Sequence, residues 1–353
     1  MAKDIFIIAE GAANHNGDIS IAERLIREAR ACGTDAVKFQ TFVTENLIRK
    51  DYKKTAHLKN IRKTRSVFDA IKSLELEREE YLRLKRIARK EGVLIFSSVF
   101  DVESLHLINE VGFPLIKIPS GEIVNLELLD EASRCGKPII LSTGMATLEE
   151  TKRAVEVISR NLRPSTLSNK QLIKKYPVFN KGLVLMHTVS TYPARPDELN
   201  LKAIPVLKKA FNVPVGYSDH TIGNDACVAA TILGAELLEK HFTLDKNMDG
   251  PDHKASAEPA ELKNLILKIR TAIKMVGDGE KRPSKSEEPM LKVFRRAIVA
   301  RDDIPAGTVI NKENVIFKRP LDGIPIERFK DIDGMRTRVA IIKDTPILDK
   351  YLF

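Results

Sequence analysis

An apolar, strand-like run followed by an amphipathic, helix-like stretch recurs eight times between residues 4 and 276, and this alternation limits the fold more than any other feature. Short apolar runs bounded by turn residues read as strands, and apolar residues at i, i+3 and i+4 read as helices. The strand-like runs are 4–9 (DIFIIA), 36–42 (AVKFQTF), 93–100 (VLIFSSVF), 114–122 (PLIKIPSGE), 138–145 (PIILSTGM), 182–193 (GLVLMHTVSTYP), 213–217 and 235–242. Helical spacing follows at 19–31, up to Glu91, 102–111, 126–135, 148–162, 201–211, 223–233 and 260–276, with Gly33 and Gly92 as stops. Eight such units have the number and size of a (β/α)8 TIM barrel, an α/β fold. A doubly wound open sheet does not require eight, and no GxGxxG follows the first strand.

Two interruptions are expected, a basic insertion at 43–76 and a polar spacer at 163–181. Residues 1–276 are assigned to the catalytic barrel. Residues 277–292, charged and rich in turn formers (GDGEKRPSKSEEP), read as a linker. Residues 293–353 switch to short β-type runs and form a small β-rich domain. A piece that small is marginal alone and should pack against a barrel.

A chain of 353 residues with 43% hydrophobic and 30% charged content describes an ordinary globular protein. No apolar run approaches the roughly 18 residues of a membrane span, and no signal peptide precedes the first strand, so a cytoplasmic location without membrane attachment is expected. The net charge of +10 raises nucleic acid as a partner. Against it, basic and acidic residues alternate along helix faces, as in residues 77–91 (EREEYLRLKRIARKE), and Trp is absent for base stacking. A basic surface suited to anionic small molecules explains the charge equally well. Cys32, Cys135 and Cys227 are scattered and read as buried free thiols.

In a (β/α)8 barrel the chemistry collects at the C-terminal strand ends. Those positions hold Glu10, Lys38 with Gln40, Ser97 with Ser98, Lys117 with Ser120 and Glu122, and Ser142 with Thr143. They continue with Ser190 and Tyr192, Ser218 with Asp219 and His220, and His241. His220 and His241 end neighbouring parallel strands of one βαβ unit, so they should face each other, with Asp219 and Asp252 nearby, as a divalent-metal site. Lys38 and Lys117 sit within otherwise apolar strands, where an unpaired ammonium costs several kcal/mol. Either lysine could be a Schiff-base nucleophile. Alternatively both clamp an anion, helped by the hydroxyls of Ser98, Ser120, Ser142, Ser190 and Ser218, as a phosphate plus carboxylate would need. The clamp is preferred because the histidine pair already supplies an electrophile.

The segments IAEGAANHNG, DAVKFQTF, KIPSGE, LSTGM, STYP, GYSDHTIG, EKHFTLD and GPDHKAS, followed by a C-terminal β domain, together resemble the sialic acid synthase family over nearly the whole chain. The resemblance implies a barrel followed by an antifreeze-like (SAF, β-clip) domain, in a domain-swapped homodimer whose small domain caps the partner's active site. It implies condensation of phosphoenolpyruvate with an open-chain N-acyl hexosamine. The product would be a nonulosonic acid, with N-acetylmannosamine or a 2,4-diacetamido-2,4,6-trideoxy hexose as the acceptor. Its metal would be manganese, with magnesium or cobalt able to substitute, held by His220 and His241.

Phosphoenolpyruvate would meet Lys38, Lys117, Ser120, Ser142 and Ser218, with Ser98 and Ser190 falling where relatives can carry Thr and Asn. The aminosugar would meet Gln40, Asn60, Glu122, Tyr192 and Asp252, with Arg319 entering from the partner's small domain. Glu10 and Glu122 are the candidates to deprotonate the water that adds to C2. Gly250-Pro251-Asp252 leans away from a pseudaminic-type acceptor, and the basic insertion should cover the sugar end. A synthase for a phosphorylated sugar is the alternative, but its second phosphate calls for extra strand-end arginines, and none is present. A Schiff-base aldolase and a non-enzymatic binding protein are the readings from other classes.

Overall fold

The computed structural model describes residues 5–52 and 66–353. Contacts divide the chain into two units, Met1–Asp278 and Gly279–Phe353.

The first unit is a closed barrel of eight parallel strands in sequential order. In chain order its elements are β1 (Phe6–Ala12), α1 (Ile19–Cys32), β2 (Ala36–Thr41), α2 (Thr44–Leu47), α3 (Val67–Lys72), α4 (Arg78–Glu91), β3 (Leu94–Val99), α5 (Val102–Val111) and β4 (Ile116–Ile118). There follow α6 (Leu126–Arg134), β5 (Ile139–Ser142), α7 (Leu148–Asn161), α8 (Lys170–Lys175), β6 (Leu183–Thr188), α9 (Ala203–Phe211), β7 (Val215–Asp219), α10 (Asp225–Ile232), β8 (Leu237–His241) and α11 (Pro259–Val276). Each expected strand and helix of the alternation is present.

The helices have identifiable ends. Asp18 caps α1 by accepting from the Ser20 amide at 2.7 Å, and Gly33 closes it at φ +97°, a conformation that penalises any side chain. Their buried faces, such as Ala22, Leu25, Ile26 and Ala29 of α1, pack on the outside of the barrel. Because strand residues alternate between faces, every second residue points into the barrel.

Three expectations change in detail. Strand β1 continues past Ala9 to Ala12, because Glu10 pairs in register with Lys38 of β2 and with His241 of β8. The polar spacer contains α8, which forms because Asn169 caps it at the Leu172 amide (3.0 Å) and Leu172 is buried. The segment read as linker ends in a helix, α12 (Glu288–Phe294).

The second unit has its own core of Ile298, Ile310, Ile324, Ile332 and Ile347. Its regular pairing is one antiparallel ladder, β9 (Ala297–Ala300) with β10 (Val315–Lys318), followed by the short helix α13 (Phe329–Ile332). The run RVAIIKDTPIL makes only isolated bridges, Ile304 with Ile341 and Val299 with Pro346. Proline has no amide to donate and prevents a longer ladder there.

Cys32 and Cys227 are buried and Cys135 half-buried, and all three are free thiols. Among the described residues no helix is long and apolar enough to cross a membrane.

Candidate active site

A cavity of about 400 Å³ opens at the C-terminal ends of the barrel strands. Its floor is a buried, self-neutralising charge cluster. The Lys38 ammonium contacts the Glu10 carboxylate, donates to Ser98 Oγ at 2.7 Å and lies 3.8 Å from Glu239. The Lys117 ammonium donates to Glu239 at 3.4 Å, and Ser218 Oγ donates to the same carboxylate at 2.9 Å. Register explains the convergence: Ser98 pairs with Lys117 and Ser218 with Glu239, so these side chains share one inward face.

The two carboxylates are in different states. Burial pushes Glu10 up to about 7 despite the Lys38 ammonium beside it, with the Glu239 charge adding to the rise. Burial also acts against ionised Glu239, but Lys117, Lys38 and the Ser218 hydroxyl outweigh it and hold that group at about 2. Burial lowers Lys117 as well, opposed by Glu239. A cluster with one weakly held proton and one firm carboxylate suits proton transfer near neutrality.

Above the floor stand the two histidines, with ring centroids 5.4 Å apart. The His220 ring donates from Nδ1 to the Val189 carbonyl at 2.6 Å, which leaves Nε2 as the lone-pair nitrogen. That nitrogen accepts from the Tyr192 hydroxyl at 2.9 Å, and the two rings stack at 4.0 Å. The His241 Nδ1 is buried with no partner. Burial holds His220 at about 4 and His241 well below its ordinary range, so both rings are neutral. Two neutral imidazoles with available lone pairs fit a divalent transition metal. Among the described residues no group of three or more His, Cys, Asp or Glu surrounds a common point, so the chain would contribute these two imidazoles.

On the far side, the backbone after β5 closes a hydroxyl pocket. The Gly144 amide donates to Ser120 Oγ at 3.1 Å. A Cβ at Gly144 would meet Ser190 Oγ at 2.4 Å and Ser120 Oγ at 2.7 Å, so only glycine lets this turn lie against both serines. Ser142 and Thr188 complete the pocket. Gln40 also lines the cavity and donates to Glu10 at 3.4 Å, as does Asp252, which burial raises to about 6 against the Lys38 charge.

The seven residues expected at phosphoenolpyruvate all line this cavity, as do Glu10, Gln40, Tyr192, His220, His241 and Asp252. The other expected residues lie elsewhere. Glu122 follows β4 in a 3-10 turn and accepts from Asn125 Nδ2 at 2.9 Å outside the cavity, which leaves Glu10 as the carboxylate at the floor. Asp219 points away from the histidines, because it follows inward-facing Ser218 on β7. It accepts from Lys240 at 2.8 Å and from the Thr221 amide at 2.9 Å. Asn60 lies outside the described residues. Arg319 belongs to the second unit, its guanidinium 5.3 Å from the Phe294 ring centroid. Glu239, Thr188 and Gly144 went unnoticed in the sequence, although Glu239 lies two residues before His241 on the same strand face.

Residues 25–281 match the family model described as the NeuB family, and residues 295–352 match the SAF domain. The chain belongs to the NeuB family. Within it, the chain is 43% identical to an N,N'-diacetyllegionaminic acid synthase of Campylobacter jejuni subsp. jejuni serotype O:2, over 94% of this chain and 95% of that protein. It is 39% identical to the synthase of the same name from Legionella pneumophila, over 98% and 94% of the two chains. An N-acetylneuraminic acid synthetase structure from Leptospira borgpetersenii serovar Hardjo-bovis superposes with TM-score 0.69 at 32% identity, covering 82% of this chain and 91% of that one.

Proposed function

We propose that this NeuB-family barrel condenses phosphoenolpyruvate with the open-chain form of an N-acyl aminosugar, giving a nonulosonic acid and phosphate. The observation that carries the reading is the stacking of two neutral, lone-pair-bearing imidazoles directly over a Lys38–Glu10–Glu239–Lys117 floor. The names of the relatives, synthases of legionaminic and neuraminic acids, support the same reaction.

Lys38 and Lys117 hold the carboxylate and phosphate of phosphoenolpyruvate, taking substrate oxygens in place of part of their contact with Glu10 and Glu239. Ser120, Ser142 and Ser190 with the Gly144 turn supply neutral donors, as an oxyanion needs. A divalent ion at His220 and His241, manganese first with magnesium or cobalt as substitutes, supplies Lewis-acid polarisation of the sugar aldehyde. C3 of phosphoenolpyruvate bonds to the aldehyde carbon, and water adds to the cationic C2. Glu10 accepts the proton of that water, and phosphate leaves by C–O cleavage. Asp252, Gln40 and Tyr192 orient the sugar hydroxyls, and Arg319 of the partner subunit meets the acyl group across a domain-swapped dimer.

The test is phosphate release from phosphoenolpyruvate with and without N-acetylmannosamine or a 2,4-diacetamido sugar, before and after metal stripping. Release that requires both substrates and ends on chelation is expected. Undiminished release after stripping, or borohydride trapping of a lysine adduct, would overturn the reading.

A further inference from the structure

One side of the cavity has a different character from its floor. Phe42 and Phe100, just past the ends of β2 and β3, meet edge to face with centroids 6.0 Å apart. Leu47 at the end of α2, and Ile71 and Leu74 of α3 and the turn after it, extend this surface along the same cavity. Across the mouth, Met145 lies three-quarters exposed at φ +64°, a backbone conformation that costs a non-glycine residue free energy and is retained where a site uses it.

The wall is braced. Lys72 donates to Glu45 at 2.8 Å and so ties α3 to α2. Glu75 accepts from the Thr44 amide at 2.6 Å, and Asp101 accepts from the Val43 amide at 3.0 Å, fixing α2 to the loop after β3. These apolar side chains therefore present a set surface, not a collapsed loop. The cations of the described part of the insertion are engaged elsewhere: Arg49 with Asp51, Lys72 with Glu45 and Glu75, and Lys50 over the Phe68 ring. Among the described residues, the ammonium and guanidinium groups lining the cavity are those of Lys38 and Lys117, both on the floor.

We infer that the wall formed by Phe42, Leu47, Ile71, Leu74 and Phe100, with Met145 opposite, selects an acceptor sugar bearing methyl groups at its far end. Such a sugar has acylamino substituents and a deoxygenated terminal carbon, in place of a terminal hydroxyl or phosphate. The inference rests on the reaction proposed above and narrows its second substrate. An apolar surface gains from each methyl removed from water, and it offers no partner to a hydroxyl and no counter-ion to a phosphate. Pocket discrimination by one methyl or hydroxyl runs from about tenfold to about 200-fold. The printed product of the legionaminic acid synthases, doubly N-acetylated, agrees with a site that accepts more than one acyl methyl.

The experiment measures kcat/KM for phosphate release, in full-length metal-loaded protein, with N-acetylmannosamine, its 6-deoxy analogue, its 6-phosphate and a 2,4-diacetamido-2,4,6-trideoxy hexose. The inference expects the 6-deoxy analogue to exceed N-acetylmannosamine by about tenfold or more, the 6-phosphate to be the poorest, and the diacetamido sugar to be the best. Leu74→Asn and Ile71→Asn should each shrink the deoxy-over-hydroxy ratio at least threefold. Phosphoenolpyruvate binding by calorimetry should stay within twofold of wild type, which verifies a folded floor. Preference for N-acetylmannosamine or its 6-phosphate, or a ratio untouched by both substitutions, overturns the inference and leaves the condensation standing. No phosphate release with any of the four sugars overturns both.

Discussion

Lys240 lies between Glu239 and His241 and faces the opposite way, into the layer between barrel and helices. Its ammonium is saturated by Asp219 Oδ2 at 2.8 Å, the Thr221 carbonyl at 2.6 Å and the Gly223 carbonyl at 3.0 Å. The side chains of the pair are 4% and 0% exposed. Lys240 thus ties β8 to the turn carrying His220, and Lys240→Met would leave Asp219 buried without its cation. Breaking a buried pair from one side costs about 3–5 kcal/mol, because the remaining charge is stranded. Asp219 would keep the Thr221 amide and the Cys227 thiol as donors, which places the expectation at about 3 kcal/mol, the lower end of that range. Urea unfolding followed by far-UV circular dichroism measures it. Asp219→Asn with Lys240→Met should cost less than the sum of the single changes by about 1–3 kcal/mol, since the double variant strands neither charge. The same variants should bind manganese more weakly in calorimetry, because the His220 turn loses its anchor. A wild-type urea midpoint for Lys240→Met, or additive single costs, would refute the reasoning.

Further expectations follow from the floor and the histidines. Glu10, held at about 7, must be ionised to accept a proton, so kcat/KM should rise through about pH 7, and Glu10→Gln should abolish that limb along with most activity. In stability the sign is opposite: a carboxyl raised from 4.5 favours the folded state at low pH and loses that contribution as pH rises through 7. Glu10→Gln should therefore become relatively more stabilising between pH 5 and pH 8, by on the order of 3 kcal/mol, and a flat difference would contradict this. His241→Ala and His220→Ala should each abolish tight manganese binding in calorimetry while leaving the far-UV spectrum intact; retained binding would remove the metal assignment. Gly144→Ala should raise the KM for phosphoenolpyruvate at least tenfold by pushing apart Ser120 and Ser190, with little change in the sugar KM.

What the sequence made legible follows strand parity. Lys38, Lys117, Ser218 and His241 lie inside strands whose apolar neighbours declare which face is inward, and each reaches the cavity. Parity also marks Glu239, two before His241, but Lys240 beside it makes the pair look like a solvated stretch. Only the packed structure reveals that the two charges are buried on opposite faces. Where parity stops, sequence expectation loses direction. Glu122 sits one turn beyond β4 and is drawn to Asn125, and Asp219 is at the last outward step of β7 before the chain bends and His220 swings back in.

Other contributions have no local signal at all. Gly144 matters because β6 and the turn after β4 bring two serines against it, and Leu47, Ile71 and Leu74 read as routine helix apolars until their helices fold over the barrel mouth. The chemistry common to such barrels sits on strands, where period two exposes it. The surface that would choose among acceptor sugars sits on an insertion whose placement depends on long-range ion pairs, Lys72 with Glu45 and the Asp101 contact to the Val43 amide. Substitutions in that insertion can therefore retune the acceptor without disturbing the strand-borne floor, which is why the wall variants separate substrate choice from turnover itself.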